Sequence, residues 1–136
     1  MKGRFFLVAA ALLAASGVAL GAYAAHGLAD RLQSLGYVEE VSKRIEWFET
    51  GVRYQLYHAL ALMLVTLLAA NKPWAFRFAS LAFLAGILLF SGSLYAMTFA
   101  PDEWRKLGAI VPLGGLSFIL GWISVAYAAW QATEDP

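Results

Sequence analysis

Charged residues are confined to short segments of this 136-residue chain, and four long stretches between them contain none. No Asp, Glu, Lys or Arg occurs in residues 5–29, 54–71, 78–101 and 107–133, which are 25, 18, 24 and 27 residues long. Because a helix rises ~1.5 Å per residue, roughly 20 apolar residues cross ~30 Å of hydrocarbon. The pattern predicts an all-α membrane protein with four transmembrane helices in a bundle, forming one domain with spans at about residues 5–27, 52–71, 75–99 and 107–131.

The loop after the first span has a helical pattern of its own. Apolar residues recur there at spacings of three and four, at Val38, Val41, Ile45, Phe48 and Val52. Four charged residues take the other face: Glu39, Glu40, Lys43 and Arg44. This spacing predicts an amphipathic interfacial helix at about residues 37–50, which Gly36 separates from the first span and which runs into the second span, with Gly51 as a bend.

Composition narrows the class of protein further. Hydrophobic residues make up 61% of the chain and charged residues 14%, too few charges to cover the surface of a soluble domain. Cysteine is absent, which excludes disulfides, thiolate nucleophiles and Cys-ligated metals. The net charge of +1 gives no reason to expect nucleic-acid binding. The N-terminal apolar run is longer than the core of a secretory signal, so we expect it to be a retained helix.

Basic residues give the expected orientation. With four spans, both termini lie on one side, together with Lys2, Arg4, Lys72 and Arg77. The other side has more basic residues, but its longer loop dilutes them: Arg31, Lys43, Arg44, Arg53, Arg105 and Lys106. Because the first basic residues directly flank the first span, we favour cytoplasmic termini.

Polar side chains within the spans concentrate toward one side of the membrane. Depth along each helix brings eight of them toward the long loop: His26, Arg53, Tyr54, Gln55, His58, Ser91, Ser93 and Tyr95. They could form an interhelical hydrogen-bond network, a pocket for a lipid head group or small ligand, or a catalytic site. Arg53 should extend to the interface or pair with Glu49 or a lipid phosphate.

Two histidines near one face of a membrane, His26 and His58, could ligate a haem iron from both sides. Neither has a spacing typical of a metal site, and no carboxylate within a span completes one. We therefore expect no cofactor and no metal. The lack of an intramembrane Asp or Glu also argues against a proton relay.

Small residues should let the helices approach closely in lipid. We assign this packing role to Gly17, Gly21, Gly92, Gly108, Gly114, Gly115 and Gly121. Pro112 should bend or loosen the fourth helix. The Gly17 and Gly21 face could also support a homo-oligomer.

Several motifs together resemble one family. They are GAYAAHGL at 21–28, WFETGVRYQLYHALA at 47–61, LFSGSLY at 89–95, PLGG at 112–115 and GW at 121–122. Their order is similar to that in the small YgdD-type inner-membrane proteins, a family of unknown function (domain of unknown function 423). That family has Phe and Gly where this chain has Tyr23 and Ala24, and Thr where it has Val111.

The resemblance implies a four-helix bacterial inner-membrane protein and supplies no activity. The eight polar residues fall within its motifs. We therefore expect a non-enzymatic, multi-pass protein that binds lipid or a partner membrane protein through this polar cluster. The alternatives are an oligomeric transporter or channel for small solutes, and a haem-binding protein or other intramembrane enzyme.

Overall fold

The computed structural model describes residues 2–68 and 73–132. This part of the chain contains six α-helices in the order α1 Lys2–His26, α2 Leu28–Ser34, α3 Val41–Leu68, α4 Pro73–Gly86, α5 Gly92–Phe99 and α6 Val111–Ala132. A π-helical turn, Ile87–Ser91, joins α4 directly to α5. Two 3₁₀ segments, Val38–Glu40 and Asp102–Ala109, precede α3 and α6.

Four helical segments of the described chain are long and apolar enough to cross a membrane: Gly3–His26, Val38–Leu68, Trp74–Phe99 and Asp102–Gln131. Their lengths of 24, 31, 26 and 30 residues exceed the roughly 20 that a bilayer requires. The prediction of an all-α membrane protein with four spanning helices is confirmed. The end of the second predicted span, residues 69–71, lies outside the described residues.

The second and third spans form the centre of the bundle. Within their apolar windows 44% and 50% of the residues are buried, against 11% in the first span and 17% in the fourth. Helix α1 packs mainly along α3, and α6 packs along α4 and the π turn. The two outer helices therefore turn most of their surface toward lipid.

A short helix that the hydrophobic pattern did not predict, α2, follows directly after α1. Leu32 on its buried face packs against Phe48 of α3. At its end the Gly36 N–H donates to the Gln33 carbonyl (2.9 Å), and the Tyr37 N–H donates to the Leu32 carbonyl (3.1 Å), which is a Schellman motif. Gly36 has a φ of 89°, a conformation that glycine adopts at little cost, and so it ends α2 ahead of the amphipathic segment.

The amphipathic segment is helical and continues into α3 without a break. Phe48 and Val52 are buried, whereas Val38 is 66% exposed. The prediction that Arg44 lies on the polar face is wrong, because its side chain is 0% exposed. Arg44 precedes Phe48 by four positions, so both residues lie on the same stripe of the helix.

Pro112 lies at the start of the α-helical part of the fourth spanning segment, not in its interior. Helix α6 begins at Val111, so Pro112 is its second residue. The N–H that proline lacks is therefore one of the first four, which have no partner within a helix. The preceding residues, Asp102–Ala109, form 3₁₀ turns where the sequence predicted the start of the span.

Two of the glycines mark very close approaches between helices. A Cβ atom at Gly114 of α6 would lie 2.4 Å from the backbone N of Phe90 in the π turn. A Cβ at Gly17 of α1 would lie 2.8 Å from Cδ2 of Leu56 in α3. A larger residue at Gly114 would meet the backbone and push the helices apart, whereas at Gly17 it would first displace the end of the Leu56 side chain.

The space around the other glycines varies. Cβ atoms at Gly21 and Gly115 would meet their nearest neighbours at 3.5 and 3.9 Å, which is ordinary contact. Gly92 is exposed, and its nearest neighbour would lie 4.0 Å away, so its predicted packing role is wrong. Gly86, which the sequence pattern did not single out, would place a Cβ 2.4 Å from the ring of Phe118.

Candidate functional site

The eight polar residues predicted to line one pocket occupy separate places in the structure. Gln55 and Tyr95 meet between α3 and α5, and Tyr54 and His58 line a groove beside α6. Ser91 and Ser93 are buried in the third span. Arg53 and His26 are exposed. The expectation of a single convergent pocket is corrected accordingly, because these side chains point in different directions around their helices.

The first place is a hydrogen-bond network that joins α1, α3 and α5. The buried Gln55 amide donates through Nε2 to the Leu13 carbonyl (2.8 Å) and to the Ser16 hydroxyl (3.0 Å). Its Oε1 accepts a hydrogen bond from the Tyr95 hydroxyl at 2.9 Å. The Tyr95 ring fits against Gly51, where a Cβ would lie 2.8 Å from Cε1. Because both ends of the amide are used, Gln55 links helices and has little capacity left for a ligand.

The second place is an aromatic groove of about 320 Å³ around His58. The imidazole stacks on Phe118 with ring centroids 3.5 Å apart. Trp122 donates its Nε1–H to Nε2 of His58 at 3.2 Å, and Nδ1 of His58 lies 2.8 Å from the Tyr54 carbonyl. Nε2 is thus an acceptor and Nδ1 carries the proton, which assigns His58 the neutral Nδ1–H tautomer.

The two histidines considered for haem ligation differ in their surroundings. His26 is exposed at the end of α1. Both ring nitrogens of His58 are engaged in hydrogen bonds, so neither is free to coordinate iron in this arrangement. Within residues 2–68 and 73–132 no group of three His, Cys, Asp or Glu residues is placed to hold a metal ion.

Ser91 and Ser93 are buried in the third span. Ser91 is the last residue of the π turn, and its hydroxyl has no hydrogen-bond partner in the part of the chain that the structure describes. Leaving a buried hydroxyl unpaired costs about 1–3 kcal/mol. Ser91 therefore does not take part in the Gln55 network.

Arg53 and Glu49 border a groove of about 240 Å³ between α1 and α3. The remaining lining residues are small or apolar: Gly21, Ala24, Ala25 and Val52. Both charged side chains are exposed. Nη2 of Arg53 donates to the Thr50 hydroxyl at 3.1 Å, and no ion pair between Arg53 and Glu49 is found in the described residues. Of the two partners expected for Arg53, Glu49 is therefore not used.

The length of α3 indicates that the Arg53 side chain can reach the lipid head groups. Arg53 precedes Leu68, the last residue of α3, by 15 positions, or ~22 Å along the axis. A hydrocarbon layer of ~30 Å that includes Leu68 therefore ends within reach of the long Arg53 side chain. Gly21 and Ala25 lie in the last two turns of α1, which ends at His26.

Arg44 is the residue at the loop end of the bundle that sequence reasoning missed. The two N–H groups of its Nη1 are shared among the carbonyls of Met97, Thr98 and Ala100, each at 3.0 Å. Helix α5 ends at Phe99, and the last four carbonyls of a helix have no partner within it. The buried guanidinium of α3 therefore caps the C-terminal end of α5.

Charged side chains complete the surroundings of Arg44. Its Nε donates to Glu40 at 3.1 Å and its Nη2 donates to Asp102 at 3.2 Å. Arg105 donates to Glu40 and lies 3.1 Å from Asp102, while the Tyr37 ring covers the guanidinium of Arg44 at 3.5 Å. Two arginines thus share two carboxylates, and the cluster neutralises its own charge. Its contacts hold together the start of α3, the end of α5 and the segment before α6.

The groove between α1 and α3 differs from the other regions because it contains two charged side chains of opposite sign, Glu49 and Arg53. Neither forms an ion pair with another described residue. The Gln55 network and the Arg44 cluster are satisfied internally. The His58 groove is lined mainly by aromatic rings, and both ring nitrogens of His58 are engaged in hydrogen bonds. The groove at Arg53 is therefore the best candidate for binding an external molecule.

Comparisons with known proteins support the conclusion that this chain is a membrane protein. A family model described as a protein of unknown function (DUF423) matches residues 20–115. A UPF0382 membrane protein of Haemophilus influenzae is 41% identical over 124 residues, which cover 89% of this chain and 92% of the relative. The UPF0382 membrane protein YwdK of Bacillus subtilis is 38% identical over 128 residues, covering 93% and 96%. The UPF0382 inner membrane protein YgdD of Escherichia coli is 37% identical over 123 residues, covering 90% and 86%. No solved structure matches the chain.

Proposed function

This chain belongs to the UPF0382 (DUF423) family of membrane proteins of unknown function, and from that premise we propose that it is a non-enzymatic protein that binds a phospholipid in the groove between α1 and α3. The phosphate would bind Arg53, and an acyl chain would follow the small residues of α1 toward the centre of the membrane.

The observation that carries this proposal is the exposed guanidinium of Arg53 at the edge of the groove between α1 and α3. Thr50 accepts one hydrogen bond from it, and arginine has five N–H donors. The planar guanidinium suits two phosphate oxygens at once. A lipid phosphate would therefore supply the partner that Glu49 does not provide.

The shape of the groove supports the same ligand. The α1 side of the groove consists of small residues, Gly21, Ala24 and Ala25, so it offers apolar atoms and no bulky side chain. Val52 lines the groove from α3 and is mostly buried. An acyl chain could lie along this wall with its head group next to Arg53.

Native mass spectrometry of protein extracted gently from its own membrane tests the proposal. Wild type should retain a phospholipid that Arg53→Gln loses. Arg31→Gln is the matched control, because Arg31 is also exposed near the loop but does not line the groove. If Arg53→Gln retains the same lipid to the same extent as wild type and the control, the proposed site is wrong. A co-purifying membrane protein lost only from Arg53→Gln, with no lipid in wild type, would replace lipid by a protein partner.

We also propose that both termini are cytoplasmic, so that the groove opens toward the outer leaflet. Support comes from Arg4 and Arg77, which lie among the first four residues of the first and third spans, at the terminal side. The chain has no native cysteine, so single cysteines can report orientation. An impermeant maleimide added to intact spheroplasts should label Ser34→Cys and spare Gly3→Cys. The reverse labelling pattern would invert the orientation.

A further inference from the structure

We propose that the α1–α3 groove selects a zwitterionic phospholipid whose head group ends in a primary amine, of the phosphoethanolamine class. Arg53 would bind the phosphate and Glu49 would bind the ammonium group. This inference rests on the proposed function of the groove and specifies its ligand.

Two opposite charges flank this groove without neutralising each other. Glu49 and Arg53 are four positions apart on α3, so their Cβ atoms lie about 6 Å apart on one face. Such a pair commonly forms a salt bridge, yet Arg53 turns to the Thr50 hydroxyl at 3.1 Å. No ion pair or hydrogen bond of the Glu49 carboxylate is found in the described residues. The groove therefore presents separate sites for an anion and a cation.

A phosphoethanolamine head group matches this arrangement. Its phosphate is anionic, and a short linker places its ammonium group close by. A primary ammonium has three N–H donors for the Glu49 carboxylate, and hydrogen bonds between charged partners are the strong ones. One lipid could thus satisfy both side chains at the same time.

Other common head groups fit less well for identifiable reasons. Phosphoglycerol is anionic and has no cationic group, so it would leave the Glu49 carboxylate facing a negatively charged lipid. Phosphocholine has a cation without N–H donors, so it cannot hydrogen-bond to Glu49. The groove should therefore prefer phosphoethanolamine over both.

The test compares lipid binding to delipidated full-length protein in a mild detergent. Phosphatidylethanolamine, phosphatidylglycerol and phosphatidylcholine with identical acyl chains are titrated, and bound lipid is counted by native mass spectrometry. Wild type should bind phosphatidylethanolamine about tenfold more tightly than phosphatidylglycerol, since one charge-assisted interaction separates the two lipids.

Charge-neutral variants separate the two roles. Glu49→Gln should reduce the preference for phosphatidylethanolamine to about twofold while phosphatidylglycerol still binds, and Arg53→Gln should weaken both lipids. Glu46→Gln is the control, because Glu46 is exposed one turn earlier on α3 and does not line the groove. A helical circular dichroism spectrum equal to that of wild type shows that each variant is folded.

The contrary outcomes are distinguishable. If wild type binds no lipid better than Arg53→Gln does, the proposed function itself fails. If Arg53 matters but phosphatidylglycerol binds as tightly as phosphatidylethanolamine, or Glu49→Gln keeps the wild-type preference, only the head-group assignment is overturned. Water-soluble glycerophosphoethanolamine that competes as strongly as the intact lipid would overturn a lipid ligand in favour of the free head group.

Discussion

Replacing Arg44 should destabilise the protein far more than replacing an exposed arginine. Arg44→Met keeps an unbranched side chain of similar length and removes the hydrogen bonds to three carbonyls and two carboxylates. Because the guanidinium is fully buried, water cannot replace these bonds without opening the end of the bundle.

The magnitude depends on which groups lose their partner. Both carboxylates that bind Arg44 keep Arg105 as a second cation, so neither is left alone. The carbonyls of Met97 and Thr98, in contrast, accept their bonds from Arg44 in a buried environment. At about 1–3 kcal/mol for each of these two unsatisfied carbonyls, the expected loss is about 2–6 kcal/mol.

The free energy of unfolding can be measured by titrating a denaturing detergent into micelles of the folded protein and following helicity. Arg31→Met is the matched control and should change stability by no more than about 0.5 kcal/mol, as is usual for surface positions. Arg44→Lys keeps the charge but lacks the planar guanidinium with its several N–H donors. It should recover less than half of the free energy of unfolding that Arg44→Met loses. A change of less than about 1 kcal/mol in Arg44→Met would refute the capping role.

Two further substitutions can be measured by the same titration. Gly114→Ala places a Cβ 2.4 Å from the Phe90 backbone N and should lower the free energy of unfolding by about 1–3 kcal/mol through overpacking. Gly92→Ala has its nearest neighbour at 4.0 Å and should be neutral or stabilising, because alanine is the better helix former. Equal effects of the two substitutions would contradict the close approach at Gly114. Gln55→Leu removes three interhelical hydrogen bonds, at about 0.6 kcal/mol each, so a loss of about 2 kcal/mol is expected and wild-type stability would contradict the network.

The four spanning helices could be predicted from the sequence because lipid imposes a simple requirement. Every backbone polar group in hydrocarbon must be satisfied within the segment, so a long stretch without charges becomes a helix. Helix α2 and the π turn Ile87–Ser91 were not predictable in this way. Both depend on contacts with other helices, including the packing of Leu32 on Phe48 and the approach of Gly114 to the π turn.

Arg44 shows where the reasoning from periodicity failed. The charge suggested an exposed position, although the four-residue spacing to Phe48 placed Arg44 on the apolar stripe. Arg44 can be buried because the carbonyls at the end of α5 require donors and because Asp102, beyond α5, supplies a carboxylate. These partners are more than 50 positions away in the chain, so periodicity alone could not reveal them. An arginine on an otherwise buried stripe is nevertheless a signal that can be sought in other sequences.

The sequence predicts how far along each helix the polar residues lie, but it does not predict which of them meet. Distance along a helix gives the depth of a residue, whereas its direction around the helix depends on packing. Gln55 and Tyr54 are adjacent in sequence, yet Gln55 faces α1 and Tyr54 lies beside Phe118 of α6. Only the three-dimensional packing separates the structural Gln55 network from the groove at Arg53.

The most direct test of the central claim is to locate the bound lipid by photo-crosslinking. A phosphatidylethanolamine with a photoreactive group at the start of one acyl chain is incorporated into membranes containing the protein, and the crosslinked peptides are identified by mass spectrometry. A lipid in the α1–α3 groove should give adducts concentrated at residues 21–25 and 49–53, and Arg53→Gln should remove them. Adducts spread evenly along the lipid-facing sides of α1 and α6, and unchanged by Arg53→Gln, would contradict a lipid-binding site in this groove.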